Sequence, residues 1–191
     1  MAKKDILVAS PATATGGILG APLGSTIPTD TTAPVDPTFE PHGYVGEDGL
    51  SMAIAKSIEK IRAWGGDTVR NVQTEHDVTF SWTFLETTDA VASEVYGEGN
   101  VTATAAGASN GNQLAIEVTS TTLENKQWVF DMKDGDARIR VVVPNGQITE
   151  VGDVNYVHSG ALTYQVTLEA FPDENGVKTY IYTDDGALTG V

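Results

Sequence analysis

The sequence predicts a mainly β protein, an antiparallel β-sandwich or barrel carrying one short α-helix and an extended N-terminal arm. Three observations predict it. From about Leu50 onward apolar side chains recur with a period of two, the spacing that places alternate residues on one face of a strand. Asn-Gly and Asp-Gly pairs separate these runs and tolerate the positive φ angles of tight hairpin turns. Residues 9 to 46 differ in kind, holding six of the eight prolines (Pro11, Pro22, Pro28, Pro34, Pro37, Pro41) and no Lys or Arg.

Proline lacks the N–H that a ladder or helix needs, and no periodic apolar face runs through residues 9 to 46, so little burial offsets the entropy of ordering them. Residues 1–46 therefore read as an extended Pro/Thr/Gly-rich arm, mobile in a free monomer, and residues 47–191 as the β domain. A stretch of this length is long for a connector; its functional reading is an arm that orders on a neighbouring subunit.

Leu50 to Trp64 is ambiguous. Leu50, Met52 and Ile54 alternate, whereas Ile54, Ile58 and Ile61 fit a helical stripe, so a strand followed by a turn or short helical piece is expected. Val78, Phe80, Trp82 and Phe84 alternate with Asp77, Thr79, Ser81 and Thr83, the pattern of a half-buried strand. Thr87 to Tyr96 departs from it: Thr87 or Thr88 can cap, Asp89 sits in the first turn, Val91 and Val95 share a face, and Gly97 can terminate a helix.

Alternation resumes at Leu114, Ile116, Val118; at Trp128, Phe130, Met132; at Ile139, Val141, Val143; and at Leu162, Tyr164, Val166, Leu168. Val177 to Tyr182 is a further β-rich run. Asp134-Gly135, Asn145-Gly146, Asn175-Gly176 and Asp185-Gly186 are the expected turns.

Composition bounds the function. A chain of 191 residues can bury a sizeable core in one domain. The absence of Cys removes disulfides, thiolate catalysis and Cys-based zinc sites. With 11 Lys plus Arg against 26 Asp plus Glu, the formal charge is −15, a field that repels phosphates and disfavours nucleic-acid binding by a basic surface. Lys3 and Lys4 precede Asp5 and the short run Ile6, Leu7, Val8, too brief for a signal-peptide core. No stretch approaches the ~20 apolar residues of a membrane span. A soluble protein, made in a cytoplasm, is expected.

Catalytic constellations do not emerge. His42, His76 and His158 lack metal-ligand spacing, and alternate residues of Glu75-His76-Asp77 fall on opposite strand faces. No Gly-x-Ser-x-Gly elbow supports a nucleophile. Asp131, Asp134 and Asp136 surround Gly135, but Lys133 intrudes and no Glu follows at calcium-loop spacing. The glycines of the arm lack the Lys-Ser/Thr ending of a phosphate loop. No enzymatic activity, cofactor or metal is expected. Trp82 and Trp128 share faces with other large apolar residues, leaving Trp64, beside Gly65-Gly66, as the plausible exposed ring.

Gly49-Leu50-Ser51 followed by Ile61-Arg62-Ala63-Trp64-Gly65-Gly66-Asp67-Thr68-Val69-Arg70 resembles the start of the major tail (tail-tube) protein domain of siphophages, particularly those infecting actinobacteria. Asp77 to Glu86, the helix at Thr87 to Gly97, the strand pair Arg138 to Pro144 and Gln147 to Val151, and Gly160 to Pro172 continue the order of parts. The resemblance covers about residues 43 to 183. It implies a phage tail-tube fold and a structural virion protein that forms hexameric rings. These rings stack around a tape-measure protein and contact tail terminator and distal tail proteins, with genomic DNA passing through unbound and no membrane contact. A further immunoglobulin-like domain, carried by some relatives, is not expected after Val191.

Read with the residues, that resemblance makes the arm and the Trp64 loop the candidate subunit interface: Pro22, Pro28, Pro34, Pro37, Trp64, Gly65, Gly66 and Asp67. Six subunits would bring 6 × −15 = −90 to a ring, and carboxylates facing a channel would repel a phosphate within a Debye length of ~8 Å. Asp77, Glu117, Asp131, Asp134 and Glu150 are the candidate lumen-lining residues. The rival readings are a monomeric β-sandwich binding carbohydrate through Trp64, or another virion part such as a decoration or tail-terminator protein.

Overall fold

The computed structural model describes residues 6–187; Lys3, Lys4 and Val191 lie outside them. Its strands are β1 (Ser10–Pro11), β2 (Ile18–Pro22), β3 (Glu40–Pro41), β4 (Ser51–Arg62), β5 (Thr68–Phe84), β6 (Val101–Thr104), β7 (Gln113–Ile116), β8 (Lys126–Asp134), β9 (Ala137–Val151), β10 (Tyr164–Ala170) and β11 (Tyr180–Asp184). The helix α1 spans Asp89–Tyr96. The main sheet runs β3-β2-β8-β9-β10-β5-β4, with β1 added to β8 and β11 to β9, and every pairing is antiparallel. β6 and β7 form a separate two-stranded sheet. The expected mainly β antiparallel fold with one short helix is the fold observed.

The alternation of β5 explains the core. Val78, Phe80, Trp82 and Phe84 are all buried, as are Trp128 and Phe130 of β8 and Tyr164, Val166, Leu168 and Ala170 of β10. β5 and β8 are not neighbours in the sheet, yet the rings of Phe80 and Phe130 stack at 5.3 Å and those of Trp82 and Trp128 approach to 5.5 Å. The sheet therefore curls until its apolar face meets itself. Burial of each such side chain contributes about 1.5–3 kcal/mol. The helix closes the core with Val91, Ala92 and Val95. It starts where Thr88 accepts a hydrogen bond from the Val91 amide and ends at Gly97, φ 95°.

Three expectations are corrected. Asn145-Gly146 is not a hairpin turn: β9 runs unbroken through it, pairing β8 before it and β10 after it. Gly146 is instead a close-packing site, since a Cβ there would lie 3.0 Å from Val143 and 3.2 Å from Leu168. Leu50 to Trp64 contains no helical piece; Ser51–Arg62 is one strand, paired with β5 throughout, and the Ile54/Ile58/Ile61 stripe is overridden by that pairing. The last strand begins at Tyr180, because Asn175-Gly176 closes a turn that Asp173 organises by accepting from the Asn175 and Val177 amides.

The fourth difference concerns the proline-rich segment, expected to lack core contacts. Five consecutive residues of β2 pair with β8, and β1 pairs with β8 beyond them. Ile18, Ala21 and Phe39 are buried in the core, and His42 is buried beside it. The prolines sit at strand ends or in the connecting turns, where no ladder donor is required; that is how a proline-rich stretch is ordered without a periodic signature. Arg140 fastens the long β2–β3 connection, its guanidinium donating to the carbonyls of Asp30 and Ala33 at 3.0 and 2.6 Å.

Candidate functional site

The β9-β10-β5-β4 part of the sheet has a second face, and its rows follow from the strand register. Ser51 of β4, Ser81 of β5, Thr167 of β10 and Glu150 of β9 are paired across four strands. The next row is Ala53, Thr79, Glu169 and Gln147. Thr83 faces Gln165, Asp77 faces Ala55, and Glu75 faces Ser57. Partnered residues share a face, so this surface is built of small polar side chains and carboxylates, with no aromatic ring in any of these rows.

Glu59, Glu75, Asp77, Glu150 and Glu169 bring five carboxylates to it. Lys178 approaches it, its ammonium 3.5 Å from Asp77 Oδ1, and Arg70, opposite Ile61, lies on the same face farther along β5. Glu75 accepts from the Ser57 hydroxyl at 2.6 Å. The face is thus acidic and polar over the body of the sheet, with Val72 and Ile61 joining it toward the end of the β4–β5 hairpin, while the reverse face of β9, β10 and the second half of β5 is the core.

β4 is the outer strand of this unit. One edge pairs with β5 over its whole length and, among the described residues, the other pairs with nothing. All 12 of its side chains are exposed, as are most of those in the first half of β5. The hairpin therefore projects from the body. Its tip is closed by hydrogen bonds between Ala63 and Asp67 and between Gly66 and Ala63, at 2.8 and 2.9 Å. Gly66 there has φ 93°, a conformation that favours glycine.

The candidate interface residues fall in two places. Trp64, Gly65, Gly66 and Asp67 are exposed at the hairpin tip. Pro22, Pro34 and Pro37 are exposed on the arm, and Pro28 is buried beneath it. The arm packs at the foot of β4, beside Leu50, and the tip lies a strand's length away, so one copy does not gather them into one patch.

The candidate lumen residues divide similarly. Asp77 and Glu150 share the acidic face. Asp131 instead pairs with Arg140, 2.9 Å from its Nη2; Asp134 lies at the end of β8 and accepts from the Val8 amide; Glu117 follows β7 of the small sheet. Sequence reasoning missed Glu59, Glu75 and Glu169. The signal for Glu169 was present in the alternation of Gln165, Thr167 and Glu169 with Val166 and Leu168. Among the described residues, no group of three or more His, Asp or Glu is placed to hold a metal.

A buried polar cluster joins arm, helix and sheet. Glu94 of α1 accepts from the Lys126 ammonium at 2.6 Å and lies 3.1 Å from His42 Nε2. The His42 ring packs against Phe84 and Trp128. Burial raises the pKa of Glu94, but the His42 hydrogen bond and the charges of His42 and Lys126 outweigh it and hold the carboxyl below its ordinary range. No feature of the sequence announced this cluster, because its members are 52 and 32 residues apart.

A family model described as phage tail tube protein matches residues 1–189. The chain belongs to the phage tail tube protein family. It is therefore a structural phage protein and a component of the virion tail. No curated protein matches the sequence. Among solved structures, the tail tube protein is similar to the tube-terminating cap of the anti-feeding prophage, at 12% identity over 96% of this chain and 100% of that one, with a TM-score of 0.44. It is similar to a chain of the extended sheath-tube complex of an extracellular contractile injection system, at 9% identity over 96% and 99%, TM-score 0.47. A chain of a native gene transfer agent virion aligns at 10% identity over 78% and 92%, TM-score 0.42.

Proposed function

We propose that this tail tube protein closes into hexameric rings that stack into the tube, with the acidic face of β9-β10-β5-β4 turned to the lumen. The observation that carries the reading is β4: a strand edge 12 residues long, unpaired among the described residues, on a sheet with one apolar and one acidic face. A long open edge invites pairing with another chain, and the outer half of β5, Thr68 to Asp77, which pairs β4 alone among the described residues, gives an identical neighbour the second edge that a closed ring requires. Continuing the sheet around the ring joins the acidic faces into a conduit.

Within that conduit the carboxylates repel DNA phosphates at close range, so genomic DNA slides during ejection without a binding site. A tape-measure protein would occupy the channel during assembly, and terminator and distal tail proteins would cap the ends. The resemblance of the Trp64 to Arg70 and Tyr164 to Phe171 segments to siphophage tail-tube proteins supports a tail of the siphophage type.

Two measurements test this. Electron microscopy of the concentrated protein should show rings or tubes; a compact monomer at every concentration, even with tape-measure protein added, overturns the reading. Hydrogen exchange should show β4 amides that point away from β5 becoming protected on assembly. Tubes in which those amides still exchange freely would mean that the sheet does not continue between copies.

A further inference from the structure

The β4–β5 hairpin carries complementary features at its two ends. At the tip, Trp64 is fully exposed, a costly position for a large ring in water. At the foot of β4, the arm and the turn before the strand leave an apolar groove of about 470 Å³, lined by Pro11, Ile18, Tyr44, Val45, Leu50 and Met132. Tip and foot are separated by the length of β4, about 40 Å at ~3.3 Å per residue.

Charge follows the same polarity. Residues 51–77 contain four cations and four carboxylates, so the remaining residues, 7 − 22, carry the whole net charge of −15. Lys60, Arg62 and Arg70 lie near the tip, and none pairs with a carboxylate among the described residues. Beside the groove stand Glu47, Asp48 and Glu86, the last accepting from the Tyr44 amide at 2.9 Å.

Resting on the tube reading above, we propose that Trp64 of one subunit seats in the groove at the foot of β4 of the next subunit along the tube, with its flanking cations against Glu47, Asp48 and Glu86. The two halves of the contact sit at opposite ends of one projecting hairpin. Joining them by translation gives a head-to-tail contact that never closes, which is the symmetry that axial stacking requires. The groove takes an indole, and the aliphatic stem of Arg62 covers its rim.

The absence of cysteine makes thiol cross-linking a clean test in the full-length protein. A Cβ at Gly65 meets nothing within 4 Å, and Ser10, which also lines the groove, is exposed, so Gly65→Cys and Ser10→Cys preserve the fold and leave the charged contacts in place. Treated with a short thiol-to-thiol cross-linker, tubes of the double variant should give a covalent ladder. Tubes pairing Gly65→Cys with Glu98→Cys, on the other side of the arm, should not.

A ladder only with Glu98→Cys, or tubes without any ladder, overturns the seating while leaving tube formation intact; the second is also the result if another protein occupies the groove. Failure of the protein to polymerise at all refutes the tube reading, and this contact with it. Tryptophan fluorescence gives an independent readout, since Trp82 and Trp128 are already buried. Emission should shift to the blue on polymerisation, the shift should vanish in Trp64→Phe measured against its own monomer, and Trp64→Ala should raise the critical concentration about thirtyfold. Unshifted emission in wild-type tubes overturns the proposal.

Discussion

Replacing Phe39 by alanine tests whether the proline-rich segment is structurally part of the domain. Phe39 is 5% exposed and packs with Ala21, Val129 and Val142, with Val35 and Tyr180 at the margin. This cluster lies on the opposite side of β8 and β9 from the aromatic core and is capped by the β2–β3 connection. Truncation removes a phenyl ring from a site whose far wall is sheet and cannot collapse, so the loss should approach the usual ~3–5 kcal/mol for a buried Phe. Against a typical total of about 5–15 kcal/mol, that is a large share. With an m-value near 2 kcal/mol/M, the urea midpoint should fall by about 1.5–2.5 M. The assay is equilibrium unfolding of the unassembled protein by tryptophan fluorescence, with limited proteolysis of the arm alongside. A midpoint change equivalent to less than ~0.5 kcal/mol, the range of an ordinary surface substitution, would falsify the packing argument and return the segment to a loosely attached tail.

Other perturbations follow from the same contacts. Glu94→Gln should cost about 2 kcal/mol at neutral pH, the scale of a charge-assisted hydrogen bond. Because the folded-state pKa of Glu94 is depressed, its stabilisation is complete above the ordinary value of 4.5 and is lost as pH falls through the folded-state value; the variant's pH–stability curve should therefore be flatter in acid, and parallel curves would refute the assignment. Glu150→Lys with Glu169→Lys should leave assembly intact but make tubes retain DNA at low salt in a gel-shift or filling assay, releasing it as salt rises; no retention would place that face away from the lumen. Gly43→Ala should destabilise by about 1–3 kcal/mol in thermal unfolding, since φ is 75° and the new Cβ would lie 2.5 Å from the Glu86 carboxyl group; an unchanged melting temperature would show that the turn relaxes freely.

The parts of the fold that were legible were those in which local pattern and tertiary role coincide. Phe80, Trp82 and Phe84 alternate because one side of β5 is core, and Thr88 and Gly97 bound the helix for reasons internal to it. What was illegible depended on pairing between distant segments. Ile54, Ile58 and Ile61 look helical because a strand exposed on both faces is under no pressure to alternate. Asn145-Gly146 looks like a turn because its glycine is needed for a reason invisible in one dimension, the crowding of Val143 and Leu168. The order in residues 9 to 46 comes from hydrogen bonds donated and accepted by β8, so no apolar periodicity records it. For the candidate site, Asp77 and Glu150 were found by charge, whereas Asp131 was misplaced because its partner Arg140 sits nine residues away on an adjacent strand.

The arm alters how the open edges should be understood. Without it, the nine-residue β8 would be a further long unpaired edge, and β2 and β1 cover it almost from end to end. A third open edge on the sheet would compete with the two that ring closure uses, producing mixed registers and irregular aggregates. With β8 covered from within the chain, the long free edges left among the described residues are β4 and the outer half of β5, Thr68 to Asp77, which β10 does not reach. Deleting residues 9 to 46 should therefore not yield a sound domain that merely stacks poorly. It would strip Ile18, Ala21, Phe39 and His42 from their packing and expose β8 at the same time. The expected product is amorphous aggregate, visible by light scattering and electron microscopy; a soluble, cooperatively folding truncated protein would show that β8 needs no cover and that the choice of edge is made elsewhere.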